Sequence, residues 1–306
     1  MHMNLLYPWP APPGFPQPPR WTGGGFDMDG RHLNVLQYGA ADSNWSDELT
    51  ELHEETAGEN HFIDVASRRH AIEQFRKHVQ VQQPILLEVG CSSGFLLKQF
   101  RREMPEALLI GSDFIAGPLE QLATQLRDVP LLKFDVTKCP LPDASLDAVI
   151  LLNVLEHVED DLAAARQAWR ILKPGGVAII EVPAGPQLYD VYDKCLMHWR
   201  RYSLGQLCAT LREAGFEVVE QSHLGFFLYP GFWWVKKSNR RHLAADLKTQ
   251  RSVVARRIQS TGQSRLLHAL MRFELWLGRW LRFPMGIRCL VTCRKPMAAA
   301  AGAAPF

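Results

Sequence analysis

The chain has 306 residues, 47% hydrophobic and 22% charged, the balance of a globular protein with a sizeable core; it excludes a disordered or fibrous chain. Its net charge of +2 conceals an asymmetry: Lys236 to Lys295 holds 15 Lys and Arg against two acids, about +13, and the rest carries about −11. Such a bias suits an anionic surface or substrate near the C-terminal third, or a solvated basic helix facing acids of the same fold.

No apolar run reaches the roughly 18 residues a spanning helix needs. The start, MHMNLLYPWPAPP, lacks a basic n-region and a long apolar core, so no signal peptide is expected. Six cysteines (Cys91, Cys139, Cys195, Cys208, Cys289, Cys293) show no paired CxxC spacing. Neither a disulfide framework nor a metal site is therefore expected, and a reducing cytoplasm is the expected compartment.

Residues 1–45 are rich in Pro, Gly and Trp and have no periodicity. They read as an arm that packs its aromatics (Tyr7, Trp9, Phe15, Trp21, Phe26) on the domain, or else as a disordered tail. A polar, acidic stretch from Ser46 to Asn60 leads to a helix over about Asp64–Gln80.

A regular alternation follows. Strand Ile85–Val89 leads to a helix ending near Glu103, strand Ala107–Ser112 to helix Pro118–Arg127, and strand Leu131–Asp135 to a turn at Cys139–Asp143. Strand Leu146–Asn153 precedes helix Asp160–Leu172, which stops at Lys173-Pro174-Gly175-Gly176. Strand Val177–Val182, helix Leu204–Ala214 and strand Phe216–Ser222 come next. Strands alternating with helices of this length mean βαβ units and a doubly wound, mostly parallel sheet with helices on both faces.

The alternation stops after Gly225. An aromatic patch (Phe226 to Trp234) and a basic segment, Lys236–Arg257, lead to an amphipathic helix over Ser264–Phe283, with Arg265, His268, Arg272, Arg279 and Arg282 on one face. Strand Ile287–Arg294 ends the domain, which spans 46–297 with 226–283 as a helical insertion. Residues 298–306 read as a flexible tail.

The chemistry is concentrated at the end of the first strand of the alternation, where Glu88 precedes the turn Gly90-Cys91-Ser92-Ser93-Gly94. A strand, a glycine turn and a helix place free N–H groups at the carboxyl edge of a sheet, where nucleotide-like ligands bind. Asp113 ends the next strand, where a carboxylate can grip two ribose hydroxyls, and Asp135 ends the third, within reach of an adenine amino group. A carboxylate at Glu88 would repel a pyrophosphate but accepts a hydrogen bond from an ammonium. With no third glycine of GxGxxG, since Phe95 and Leu96 follow Gly94, the set favours S-adenosylmethionine over a dinucleotide.

These segments resemble the class I S-adenosylmethionine-dependent methyltransferases, particularly the bacterial type 11/23 group. The matching runs are LLEVGCSSG (Leu86–Gly94), GSDF (Gly111–Phe114), Phe134–Val158, ILKPGGVAIIEVPA (Ile171–Ala184) and LREAGFEVV (Leu211–Val219). The resemblance implies a seven-stranded sheet of order 3-2-1-4-5-7-6 with strand seven antiparallel. Ser92 stands at the usual middle glycine, a common replacement in the group. The implied cofactor set is Glu88, Gly90, Cys91, Ser92, Gly94, Asp113, Phe114, Asp135, Val136 and Asn153.

Methyl transfer from a sulfonium is an in-line displacement, so the protein mainly aligns the reactants and excludes water, with a base if the nucleophile is a hydroxyl. Candidates follow strands four and five. His198 reads as a base or substrate-orienting residue, or with Asp193 as a brace of a lid loop. His157 is a second base candidate, or else a cofactor-shell or helix-capping histidine, beside Glu156. Tyr189, Arg200, Arg201 and Tyr202 are candidates for holding the acceptor, an arginine of the pair serving otherwise as a structural ion pair.

The expected function is methyl transfer, first to oxygen, on a small or lipid-attached metabolite. The alternatives are a non-catalytic module that kept the fold and, more weakly, an NAD-dependent oxidoreductase. The absence of Asn/Asp-Pro-Pro-Tyr/Phe after strand four, where Asn153-Val154-Leu155-Glu156 stands, argues against methylation of adenine in nucleic acid and leaves nucleic-acid binding through the basic insertion as a minor alternative. The insertion either caps the substrate pocket or lies on a membrane surface with Trp276 and Trp280 at the interface.

Overall fold

The computed structural model describes residues 7–39, 59–243 and 264–297. The expectations for 46–60, for the far end of the basic segment and for the tail 298–306 fall wholly or mostly outside these.

Residues 7–39 form a small antiparallel meander, β1 (Arg20–Trp21), β2 (Phe26–Met28) and β3 (Arg31–Leu33), followed by β4 (Val35–Gln37). Tyr7, Trp9, Trp21 and Phe26 are buried in one core with Phe134, Leu141 and Ala164. The Tyr7 hydroxyl is 2.7 Å from that of Ser145. Helix α1 (Phe62–His78) precedes the alternation of β5 (Ile85–Val89), α2 (Phe95–Glu103), β6 (Leu108–Asp113), α3 (Ala116–Gln125), β7 (Leu131–Lys133), β8 (Leu146–Leu152), α4 (Asp161–Ile171) and β9 (Leu172–Pro183). After it come α5 (Val191–Cys195), α6 (Leu204–Glu213), β10 (Glu217–Leu224), α7 (Tyr229–Asn239), α8 (Arg265–Leu277) and β11 (Arg288–Arg294).

The main sheet has eight strands in the order β10-β11-β9-β8-β5-β6-β7-β4. All pairs are parallel except those of β11, which runs antiparallel to both β10 and β9. The sequence of β8, LDAVILL, is apolar almost throughout because both faces are covered. At the edge, β10 reads EVVEQSHL and alternates between exposed and half-buried positions. Helices α1 to α3 supply one core; α4, α6 and the N-terminal aromatics fill the other.

The eighth strand corrects the expectation of seven. Val35, Leu36 and Gln37 pair in parallel with Leu131, Leu132 and Lys133; three residues beside a Pro- and Gly-rich run carry no period from which a strand can be read. A second correction concerns α8, which stops at Leu277 rather than Phe283. Gly278 is unfavourable within a helix by about 1 kcal/mol. Beyond it the chain folds back, so that Phe283 stacks on Phe226 with ring centroids 5.1 Å apart.

The insertion between β10 and β11 is anchored from within. Glu274 of α8, buried, accepts the backbone N–H groups of Gly225 at 2.6 Å, Phe226 at 3.1 Å and Phe227 at 3.2 Å. Met271 packs with Ile63 and Ala66 of α1 and Leu224 of β10. No helix among the described residues is long and apolar enough to cross a membrane.

Candidate active site

The site is built at the carboxyl ends of β5, β6, β7 and β8. The turn after β5 needs glycine twice. Gly90 has φ +72°, and a Cβ there would lie 2.7 Å from Cγ2 of Val154; Gly94 has φ +69°, and its Cβ would lie 2.5 Å from Cδ1 of Leu122. Ser92 also sits at positive φ, +44°. Its N–H donates to Oδ2 of Asp113 at 2.9 Å, while Oδ1 accepts from the N–H of Ile115 at 3.1 Å. The Cys91 N–H donates to the carbonyl of Ser112 at 2.9 Å, and burial pushes the Cys91 thiol well above its ordinary value.

Glu88 is buried, and its Oε2 has no hydrogen-bond partner among the described residues. Burial raises its carboxyl well above the usual range; the Arg68 guanidinium opposes this and the Asp113 charge adds to it. An orphaned acceptor beside a glycine cradle fits a ligand that brings a cation. Asp135 caps the turn 136–138, its Oδ1 accepting from Thr137 N–H and Oγ1, both at 2.8 Å. Phe114 and Val136 are half-buried beside these two acids. Asn153, at φ +54°, donates from its backbone to the Glu181 carbonyl at 2.9 Å and from Nδ2 to Glu181 Oε1 at 3.3 Å.

A second cluster follows β8 and β9. Glu156, His157 and His198 converge, with the two imidazole centroids 4.6 Å apart. Behind His198 lies a buried polar network. Asp193 Oδ1 accepts from His198 Nδ1 at 3.0 Å and Arg201 Nη1 at 2.7 Å, while Oδ2 accepts from Lys236 Nζ at 2.8 Å. Lys236 also donates to Asp190 Oδ1 at 2.7 Å, and Asn239 to Asp190 Oδ2 at 3.0 Å. Burial favours the neutral form of both acids. At Asp193 the bonds from His198 and Arg201 outweigh it and hold the carboxyl far below its ordinary range. At Asp190 burial wins over Lys236 and the carboxyl is raised. Burial likewise keeps the His198 imidazole low against the pull of Asp193.

The comparisons with known proteins agree with this geometry. A family profile described as a methyltransferase domain matches residues 87–180, from β5 into β9. A Mycolicibacterium smegmatis protein named as an S-adenosylmethionine-dependent methyltransferase is 30% identical over 166 residues, 50% of this chain and 62% of its own. A Mycobacterium tuberculosis protein named in the same way is 26% identical over 169 residues, 51% of this chain and 59% of its own. The chain thus spans about three-fifths of the length of these relatives. Haemonchus contortus phosphoethanolamine N-methyltransferase 2, solved with S-adenosyl-L-methionine, superposes with a TM-score of 0.54 at 14% identity, over 84% of this chain and 59% of that one. The [4+2]-cyclase SpnF superposes with a TM-score of 0.50 at 20% identity, over 76% and 81%.

Residues 87–180 carry a methyltransferase domain similar to those of relatives named as S-adenosylmethionine-dependent methyltransferases.

The residues named from the sequence for the cofactor gather around one sheet edge. The acceptor candidates are each engaged inside the fold. Arg201 is buried between Asp193 and the Ala184 carbonyl, the latter at 2.8 Å. Arg200 pairs with Asp161 at 3.0 Å. The Tyr202 hydroxyl donates to the same carboxylate at 2.8 Å, and that of Tyr189 to the His198 carbonyl at 2.8 Å. His157 is half-buried, whereas His198 and Asp193 are buried.

Sequence reasoning missed a further charged group. Arg288 of β11 donates to Glu181 Oε1 at 2.6 Å and pairs with Asp64 of α1, and Ser67 donates to the same Oε1 at 2.8 Å. Glu181 is a lone acid in the apolar run AIIEVP, and a charge inside a buried strand was the available signal. Arg68 of α1 lies over the Phe95 ring at 5.5 Å, so α1 borders the glycine turn. A cleft of about 570 Å³ between α1, β10 and α8 shares no residue with this site.

Proposed function

We propose that the protein transfers a methyl group from S-adenosylmethionine to an acceptor oxygen on a small or lipid-attached molecule. The observation that carries the reading is the orphaned Oε2 of buried Glu88 beside the glycine turn that Asp113 holds. Bound there, the cofactor supplies an electrophilic sulfonium methyl. Glu88 would receive its ammonium, the N–H groups of the turn its carboxylate, Asp113 the ribose diol, and Asp135 with Val136 the adenine edge. Displacement needs an aligned nucleophile and a dry pocket, and the turn after β8, which carries Glu156 and His157, supports an oxygen acceptor by placing groups there that can activate a hydroxyl.

The shared fold does not by itself give the reaction, as the cyclase with this architecture shows. A module that binds the cofactor without transfer is therefore the rival. Exposed aromatics of the insertion, Trp234, Trp276 and Trp280 among them, support an acceptor met at a membrane surface.

The test is a thermal shift with S-adenosylhomocysteine and, separately, with NAD. Stabilisation is expected from the first alone; none from S-adenosylhomocysteine overturns the reading. Transfer of labelled methyl from the cofactor to a membrane lipid extract then separates an enzyme from a binding module.

A further inference from the structure

Glu156 is the least explained polar side chain in the described structure. It lies in the turn after β8, is 0% exposed, and neither carboxylate oxygen has a hydrogen-bond partner among the described residues. Burying a carboxylate without a partner costs several kcal/mol, and native structures rarely leave such a group bare. Its neighbours are two imidazoles. One donor atom from each of Glu156, His157 and His198 lies within 4.8 Å of the others.

We propose that Glu156, His157 and His198 bind a divalent transition-metal ion of the zinc, iron(II) or manganese(II) kind. Two imidazoles and one carboxylate are a mixed nitrogen and oxygen set suited to these ions, and three protein ligands leave coordination positions open for water or for an acceptor oxygen. The surroundings of His198 match what a ligating histidine requires. Its Nδ1 faces Asp193 Oδ1 at 3.0 Å, which leaves Nε2 for the ion and fixes the plane of the ring. Arg201 and Lys236 in turn hold Asp193 in place. The segment carrying His198 is tied to the Glu156 turn, because the Trp199 N–H donates to the Glu156 carbonyl at 2.8 Å.

The distances ask little of the fold. Ligands about 2.1 Å from a tetrahedral ion lie roughly 3.4 Å from one another, so a set already within 4.8 Å closes by small side-chain rotations. The sequence conceals the site because His198 lies some 40 residues beyond the Glu156-His157 pair, far outside any local ligand spacing. A dication would satisfy the carboxylate that the described residues leave unpaired.

The experiment uses the full chain without a histidine tag, stripped with a chelator and titrated with cobalt(II) as a visible-absorption probe. One cobalt(II) per chain is expected, displaced by zinc(II), with Glu156→Gln and His157→Gln each weakening binding at least tenfold. S-adenosylhomocysteine should still raise the melting temperature of both variants, which shows that they fold and keeps this outcome apart from the cofactor reading. No cobalt(II) bound by the unaltered protein, or unaltered binding by either variant, overturns the proposal.

Discussion

The backbone N–H of Ser92 donates to Oδ2 of Asp113 at 2.9 Å, so the glycine turn after β5 and the carboxylate that ends β6 act as one unit. Asp113 thus holds the turn in its positive-φ course, and in the proposed function it would also bind the ribose diol. Asp113→Ala removes a charged acceptor from both, and hydrogen bonds to charged groups contribute about 1.5–3 kcal/mol each. Affinity for S-adenosylhomocysteine, read by calorimetry, should fall at least tenfold. An Ala variant that binds like the parent would show that Asp113 does neither.

Gly94 opens α2 in the left-handed region, and Leu122, against which its Cβ would press, is 1% exposed and has nowhere to swing. Gly94→Ala should lower stability by about 2–3 kcal/mol, from the positive φ and from overpacking together. Urea unfolding measures this. Adding Leu122→Ala to Gly94→Ala should cost less than the sum of the two single changes, because the cavity accommodates the new methyl; full additivity would put the penalty in the backbone alone.

The Asp64–Arg288 pair joins α1 to β11. Burial works against ionisation of Asp64, yet Arg288 and His61 bring its carboxyl down to about 2. A folded value below the unfolded one, 3.8, contributes stability that is present above about pH 4 and lost as pH falls towards 2. The shift corresponds to about 2 kcal/mol. Asp64→Asn should therefore melt lower than the parent at pH 6, with the gap narrowing towards pH 3. A gap that stays constant with pH would mean that the charge of Asp64 contributes nothing.

Lys236 stands between two buried carboxylates, bonded to Asp190 at 2.7 Å and Asp193 at 2.8 Å. Removing one partner of a buried ionic group leaves uncompensated charge and costs about 3–5 kcal/mol. Lys236→Met should unfold at much lower denaturant than the parent. Asp190→Asn in the same chain should restore part of the loss, since one unpaired charge is then removed. Failure of that rescue would assign the damage to packing of the lysine stem rather than to charge.

Much of this was legible in the sequence, for identifiable reasons. Apolar runs such as ILLEV and LDAVILL announce strands buried on both faces, and the glycine turn after Glu88, together with Asp113 and Asp135 just past the next two apolar runs, marks their carboxyl ends. What escaped depends on contacts between distant segments. Residues Val35–Gln37 form a strand only because β7 offers them a free edge. Arg288 looks like an ordinary strand residue until Asp64 and Glu181 surround it. The aromatic insertion is ambiguous in sequence because its arginines share one helical spacing; the structure separates them, since Arg279 pairs with Glu73 at 3.0 Å and Arg282 with Glu220 at 2.6 Å.

That separation sets how the insertion would meet a bilayer. With Arg279 and Arg282 engaged by acids of the fold, exposed Arg265 and Arg272 remain for lipid headgroups. The apolar contribution is larger: Trp276 is 50% and Trp280 65% exposed, their rings 4.9 Å apart, and Phe273 stacks on Trp276 at 5.8 Å. Interfacial binding follows buried apolar area plus attraction to anionic lipid, and the second term is screened by salt. Flotation with phosphatidylglycerol vesicles should therefore weaken only modestly between about 0.1 and 0.5 M salt, across which the Debye length shortens from roughly 10 Å to about 4 Å. Trp276→Ser with Trp280→Ser should abolish it at either salt. Strong salt dependence with an unchanged double variant would place the contact on the arginines instead, and no flotation of the parent protein would leave these rings without a bilayer partner.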